Sequence, residues 1–229
     1  MIQKIIHRWD MAPKEAESLQ DDLRKKLIRC PLPENIRLVC ALDASYSKTS
    51  NLIFGAAVVV DIETNCISEK LWGAEKIKFP YIPGLLTFRE GPILCKVLSE
   101  IKSDVDILLF DGQGIAHPRH MGIAAHMGVL FDMPSVGCAK SRLCGNYIEP
   151  KTRKGCSRSI TLDGDIVGRI LRTQEGIKPI FVSPGHKADI TSSVMLVKRL
   201  TTKFRLPDPV RFAHSFSNKI RIEHCGSTF

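Results

Sequence analysis

The chain has 229 residues, 44% of them hydrophobic and 25% charged, a composition suited to a water-soluble fold with a sizeable core of its own. No apolar run approaches the length of a membrane span, and Met1 to Asp10 carries neither the apolar stretch nor the small-residue cleavage site of a secretion signal, so a cytoplasmic protein is expected. Lys and Arg number 33 against 24 Asp and Glu, and the resulting +9 biases the chain towards polyanions such as nucleic acid.

That charge is uneven. Between Lys140 and Ile160 six basic residues face Glu149 alone, and between Leu196 and Arg221 seven face Asp208 alone. Charge by itself fits a solvated face as well as a nucleic-acid contact. The eight cysteines include no C-x-x-C pair, and several lie in apolar patterns, so buried free thiols are expected rather than a disulfide framework or zinc site. His117 and His120 are spaced like ligands, but no second pair accompanies them.

In chain order, Pro13 opens a helix to about residue 29, with Leu19, Leu23 and Leu27 on one face, and Pro31-Leu32-Pro33 ends it. Ile36 to Leu42 reads as a buried strand stopping at Asp43. Leu52 to Ile62 and Cys66 to Ile77 complete an antiparallel meander. Pro80-Tyr81-Ile82-Pro83-Gly84 excludes both helix and central strand, and so holds an aromatic and an aliphatic side chain on a stiff loop. Leu85 to Ile101 is helical in pattern, with a kink or restart expected at Gly91-Pro92. Val105 to Phe110 is a second buried strand, ended by Asp111 and the turn Gly112-Gln113-Gly114.

His120 to Phe131 then reads as a helix, Ser135 to Ala139 as a short strand ending at Lys140, and Ile166 to Arg172 and Pro179 to Ser183 as further strands. Asp189 caps a helix with Val194, Val197, Leu200 and Phe204 on one face, and Asp208-Pro209 starts a last helix to about Arg221. Strands first, then alternating helix and strand, indicate an α/β fold with a mixed sheet and flanking helices, read as a single domain over residues 1–229.

Two apolar strands thus end in Asp43 and Asp111, with Glu90 on a helix between them. If the strands are neighbours, their carboxylates converge and need a cation to offset the repulsion. Oxygen ligands suit Mg²⁺ or Mn²⁺, which can polarise a phosphodiester and activate water. Each aspartate taken alone could equally end a strand or cap a helix. His214 falls on the more polar face of the last helix, away from Phe212 and Phe216, where it could serve a metal or move a proton, or simply be a surface residue. Lys140 could reach a phosphate or lie in an exposed turn. Gly112-Gln113-Gly114 begins like a dinucleotide fingerprint, but His117 replaces the third glycine, and no P-loop or G-x-S-x-G occurs.

Several segments together resemble the endonuclease V family of deoxyinosine-specific nucleases, which have a ribonuclease H-like fold. They are Leu42-Asp43-Ala44-Ser45-Tyr46, Pro80 to Glu90, Asp111 to Arg119, Val136 to Lys140, Val182 to His186 and Arg205 to Pro209. They occur in family order between about Ile36 and Arg221. The resemblance implies hydrolysis of the second phosphodiester 3′ to a deaminated adenine, leaving 3′-hydroxyl and 5′-phosphate ends. It places Mg²⁺, with Mn²⁺ as a substitute, on Asp43 and Asp111, with Glu90 and His214 completing the site and Lys140 at the scissile region. Tyr81, Ile82 and Pro83 become a wedge pushed into the duplex. Gly84, Leu86, Gly112, Gly114 and His117 line the pocket for the extruded base, and Arg89, Arg119, Ala139 and Lys140 meet the nucleic-acid backbone.

Inosine in RNA as the main substrate, or a lesion binder without cleavage, are the alternatives. Gln113 varies among relatives and takes no role, and the position of His214 is not always histidine. No obligate protein partner is indicated, so a monomer is expected, with the last few residues as a flexible tail.

Overall fold

Neighbouring apolar runs decide the strand pairing. In the computed structural model, which describes residues 1–225, nine strands form one mixed sheet. β1 (Leu38–Tyr46), β2 (Leu52–Asp61) and β3 (Cys66–Lys76) make the antiparallel meander, and β1 pairs in parallel with β4 (Ile107–Phe110). β5 (Ser135–Ala139) extends the parallel run, and β9 (Ile180–Pro184) returns antiparallel beside it. Beyond lie β8 (Asp165–Leu171), β7 (Ser157–Leu162) and the short β6 (Asn146–Tyr147), giving the order β3-β2-β1-β4-β5-β9-β8-β7-β6. This is the ribonuclease H-like mixed sheet expected from the sequence.

α2 (Leu86–Glu100) and α3 (Ile123–Phe131) cover one face, and α4 (Ile190–Leu200) and α5 (Asp208–Cys225) cover the other. The central strands are buried on both sides, which explains why they read as unbroken apolar runs. Cys40, Leu42, Leu108 and Phe110 pack with α2 and α3, whereas Val39, Ala41, Ile107 and Leu109 pack with α4 and α5. Strand alternation therefore turns Asp43 to the α5 side. α1 (Pro13–Arg24) lies outside this sandwich and buries Ala16, Gln20 and Leu23. Among the described residues no helix is long and apolar enough to cross a membrane.

Several boundaries depart from the sequence expectation for identifiable reasons. β1 does not stop at Asp43: Ser45 and Tyr46 still pair with Phe54 and Ile53, so the aspartate sits inside a long hairpin strand. α1 ends at Arg24 rather than near residue 29, closed by i→i+3 bonds from Lys26 and Leu27 to Leu23 and Arg24. α2 continues through Pro92 without restarting, and the bare Gly91 lets the Trp9 ring pack where a Cβ would come within 2.5 Å. α3 begins at Ile123 because His120 is left-handed, with φ of 54°. α4 stops at Leu200, leaving Phe204 exposed beneath the Arg211 guanidinium at 3.4 Å. α5 runs past Arg221 to Cys225, and the last four residues of the expected tail lie outside the described residues. β6 and β7 were not foreseen, being mostly solvated and lacking an apolar run.

One small residue in the sheet has a large positional effect. A Cβ on Gly137, in β5, would stand 2.4 Å from the Gly112 carbonyl oxygen and 2.6 Å from the Gly114 nitrogen. The turn after β4 can therefore lie flat on β5 only over a glycine. Gly137→Ala is expected to cost about 1–3 kcal/mol, read as a lower urea midpoint at unchanged m-value. An unchanged midpoint would mean that the turn yields freely.

Candidate active site

Strand register brings the two aspartates together. Leu42 of β1 stands beside Phe110 of β4, so the next residues, Asp43 and Asp111, emerge side by side at the same edge. α5 crosses β1 there and adds His214, so that oxygens of both carboxylates and a ring nitrogen of His214 all lie within 4.8 Å of one another. Ser217 Oγ donates to Asp43 Oδ2 at 2.5 Å, and His214 Nδ1 lies 3.3 Å from the same oxygen. Asn218 Nδ2 donates to the His214 carbonyl at 2.9 Å and approaches its Nε2 at 3.2 Å, which orients the ring from one turn further along the helix. At the end of β5, Lys140 Nζ donates to Asp111 Oδ2 at 2.5 Å.

The electrostatics follow from this crowding. Burial raises the Asp111 pKa, the Lys140 bond opposes that rise, and the Asp43 charge adds to it. The hydrogen bond to Asp43 raises the pKa of His214. Glu90, on α2, stands outside the Asp43–Asp111–His214 group. Its Oε1 accepts from the Tyr46 hydroxyl at 2.6 Å, and burial pushes its pKa up to about 8, with Asp43 and Asp111 contributing in the same direction. Two buried-edge carboxylates and an imidazole with converging donor atoms make a set that fits one hard divalent cation.

A cavity of about 390 Å³ opens directly beside this group. Its roof is Tyr81, Ile82, Pro83, Gly84 and Leu86, its floor Asp111, Gly112, Gln113 and His117, and its far wall Ala139 to Leu143. Tyr81 is 68% exposed at the rim. Asp111 and Lys140 thus belong both to the carboxylate group and to the cavity.

His117 holds roof to floor. Its Nδ1 accepts from the N–H of Arg119 at 3.1 Å and of Met121 at 3.4 Å, which places the proton on Nε2, and that proton goes to the Gly84 carbonyl at 2.8 Å. Burial lowers its pKa to about 4, so the ring is a neutral strut at pH 7.

Three expected site residues stand elsewhere. Gly114 does not line the cavity, for a Cβ there would meet the Pro184 carbonyl oxygen at 2.0 Å, and the glycine serves close packing against β9. Arg119, expected at a nucleic-acid backbone, is turned inward, with Nε donating to Gln20 Oε1 at 2.7 Å, Nη2 to Gly84 at 3.2 Å and Nη1 paired with Glu17 at 3.2 Å. Arg89 likewise donates to the Phe79 carbonyl at 2.8 Å and lies over the Tyr46 ring at 4.8 Å.

Sequence reasoning missed Tyr46 and the Ser141–Leu143 wall, and it gave no role to Ser217 or Asn218. It assigned nothing to Gln113, which lines the cavity and donates to the Ser141 carbonyl at 3.0 Å. The spacing of Ser217 and Asn218, three and four residues after His214, was the one available signal.

Comparison with known proteins bears on this arrangement. The family profile of Endonuclease V matches residues 21–215. The endonuclease V of Thermosipho melanesiensis is 44% identical over 222 residues, covering 96% of this chain and 96% of its own. The crystal structure of Bacillus subtilis endonuclease V superposes with a TM-score of 0.92 at 30% identity, covering 98% of each chain. That of Ciona intestinalis endonuclease V, in complex with a 23mer DNA containing an inosine followed by a ribo-adenosine, gives 0.81 at 27% identity, covering 93% of this chain and 100% of that one. With the profile spanning most of its length and relatives this similar from end to end, the chain belongs to the endonuclease V family.

Proposed function

We propose that the protein is a divalent-cation-dependent repair endonuclease that extrudes deoxyinosine from DNA and hydrolyses the second phosphodiester on its 3′ side, leaving 3′-hydroxyl and 5′-phosphate ends. The observation that carries this reading is the shared residue pair: Asp111 and Lys140 belong at once to the carboxylate group and to the cavity under Tyr81. A base held in that cavity would bring its own strand beside the carboxylates. The Ciona relative bound to inosine-containing DNA supports the choice of base.

In this reading Asp43 and Asp111 hold Mg²⁺, or Mn²⁺ in its place, with His214 and Glu90 completing the set. When bound there, the cation supplies charge that polarises the phosphodiester and lowers the pKa of a water. Lys140, which bonds Asp111 at the cavity edge, would donate to a phosphate oxygen of the scissile region. Ser217 and Asn218 keep Asp43 and His214 in place. Tyr81, Ile82 and Pro83 fill the gap left by the departing base, which otherwise costs about a few kcal/mol of stacking and pairing. Gly84, Leu86, Gly112 and His117 shape the pocket, and Ala139 lines its far wall.

The ribo-adenosine after the inosine in the Ciona complex favours a second reading, in which inosine-containing RNA is the preferred substrate. Side-by-side rates on matched deoxyinosine DNA and inosine RNA separate the two.

The first expected outcome is nicking of a labelled duplex with a single deoxyinosine in Mg²⁺, mapped to the second 3′ linkage. Asp43→Ala and Asp111→Ala should each lower the rate by about a hundredfold or more. Binding without any nicking by the wild type would instead identify a lesion-binding protein. Cation linkage gives a second test. Mg²⁺ or Mn²⁺ at about a hundred times its dissociation constant should stabilise the wild type by about 2.7 kcal/mol, seen as a higher melting temperature, and Asp111→Ala should lose that gain. A third expectation concerns Tyr81→Ala, which should weaken binding and nicking of the lesion duplex by about tenfold or more while the cation-induced rise in melting temperature is retained. Loss of that rise in Tyr81→Ala would remove the wedge role.

A further inference from the structure

α1 buries a polar residue where its apolar stripe should continue. Ala16 and Leu23 face inward as the helical period requires, and between them Gln20 is fully buried. A buried carboxamide is costly unless its donors and acceptor are used. Here they are used. Nε2 donates to the Gly84 carbonyl at 3.1 Å and to the Met121 carbonyl at 3.1 Å, and Oε1 accepts from Arg119 Nε at 2.7 Å. Every one of these partners lies at the end of a cavity-forming segment: Gly84 closes the Tyr81–Pro83 loop, and Arg119 and Met121 follow His117.

The Gly84 carbonyl is the common point. Besides Gln20 it accepts from His117 Nε2 at 2.8 Å and Arg119 Nη2 at 3.2 Å. Gly84 has φ of 83°, a conformation that favours glycine and that here accompanies a carbonyl bonded into the buried network. Immediately before it stands Pro83, whose ring fixes φ, and Leu85 N–H closes the turn on the Ile82 carbonyl at 2.9 Å. With so few free torsions between them, a fixed Gly84 carbonyl fixes Ile82 and Tyr81.

We propose that Gln20 is a positioning residue for lesion recognition: through the Gly84 carbonyl it locks the Tyr81–Pro83 loop at a set height above the cavity. It touches no substrate. It lies outside every signature segment that carries the family resemblance, and its contribution comes from an outer helix. The role rests on the reading of Tyr81–Pro83 as the wedge. Its value is preorganisation, since a loop already held in the binding geometry loses less freedom when nucleic acid arrives.

The experiment compares wild type with Gln20→Met, which keeps the side-chain length but neither donates nor accepts well. Amide hydrogen exchange without nucleic acid should quicken in residues 80–86 while β1 and α3 keep their wild-type protection. In EDTA, the affinity ratio between a deoxyinosine duplex and an undamaged one should fall by about five- to tenfold, with affinity for the undamaged duplex unchanged. Gln20→Glu, which keeps the acceptor for Arg119 but donates nothing to Gly84, is measured beside it and should show the same pattern. Wild-type exchange in 80–86 together with an unchanged ratio overturns the proposal. So does a uniform rise in exchange across the fold in both variants, which would mark a merely structural role. If the wild type itself shows no preference for deoxyinosine, the functional reading fails, while exchange in 80–86 still decides whether Gln20 locks the loop.

Discussion

Two carboxylates forced side by side are the constraint from which the rest of the site follows. Parallel pairing of β1 with β4 leaves Asp43 and Asp111 no room to separate, because their strands are hydrogen-bonded through the preceding residues. Repulsion at a largely buried edge has to be offset. It is offset by three residues from two elements: Lys140 at the end of β5, and His214 and Ser217 on α5. Burial still raises the pKa of Asp111 and of neighbouring Glu90, and the Asp43 charge adds to both rises. A divalent cation held by Asp43, Asp111 and His214 would complete the offset.

The same edge explains the glycines. A turn that carries Asp111 to the carboxylate group and then lies on β5 and β9 has no space for side chains on its inner surface. Gly112 would strike Ile123, Gly114 would strike Pro184, and Gly137 leaves the space into which the turn fits. The glycines of the Asp-Gly-Gln-Gly run therefore do packing work first. Their second effect is that the backbone of Gly112 reaches the cavity surface, so the carboxylate group and the cavity come to lie within two residues of each other.

Much of this was legible from the residues alone, and the failures share a cause. The apolar runs of β1, β2 and β4 were readable because both their faces are buried, and the Asp43–Asp111 convergence needed only that two of those strands be neighbours. What could not be read was side-chain commitment. Arg89 and Arg119 look like phosphate-binding residues in a sequence, yet both are bonded to carbonyls inside the protein. Gln20 looks like any surface glutamine on a charged helix, because period and composition do not reveal which polar residue has found three buried partners. β6 and β7 escaped for a related reason: a solvated extension of a sheet carries no hydrophobic period.

Side-chain commitment also changes what the net charge means. Arg89, Arg119 and Arg172 count towards the +9, but each is tied to protein acceptors, Arg172 with its side chain only 7% exposed. They stiffen loops and offer little field to a polyanion. The exposed cations form a different set. Arg205 donates to the Lys140 carbonyl and Lys154 to the Thr202 carbonyl, so the segments bearing Lys140, Arg142, Arg153, Lys154 and Lys203 are tied to one another. Attraction of a polyanion depends on charges that remain solvated and can release counterions. The basic residues of this chain therefore divide into those held by protein acceptors and those left solvated to attract a polyanion. Of the second group, Lys140 and Arg142 line the cavity beside Asp111.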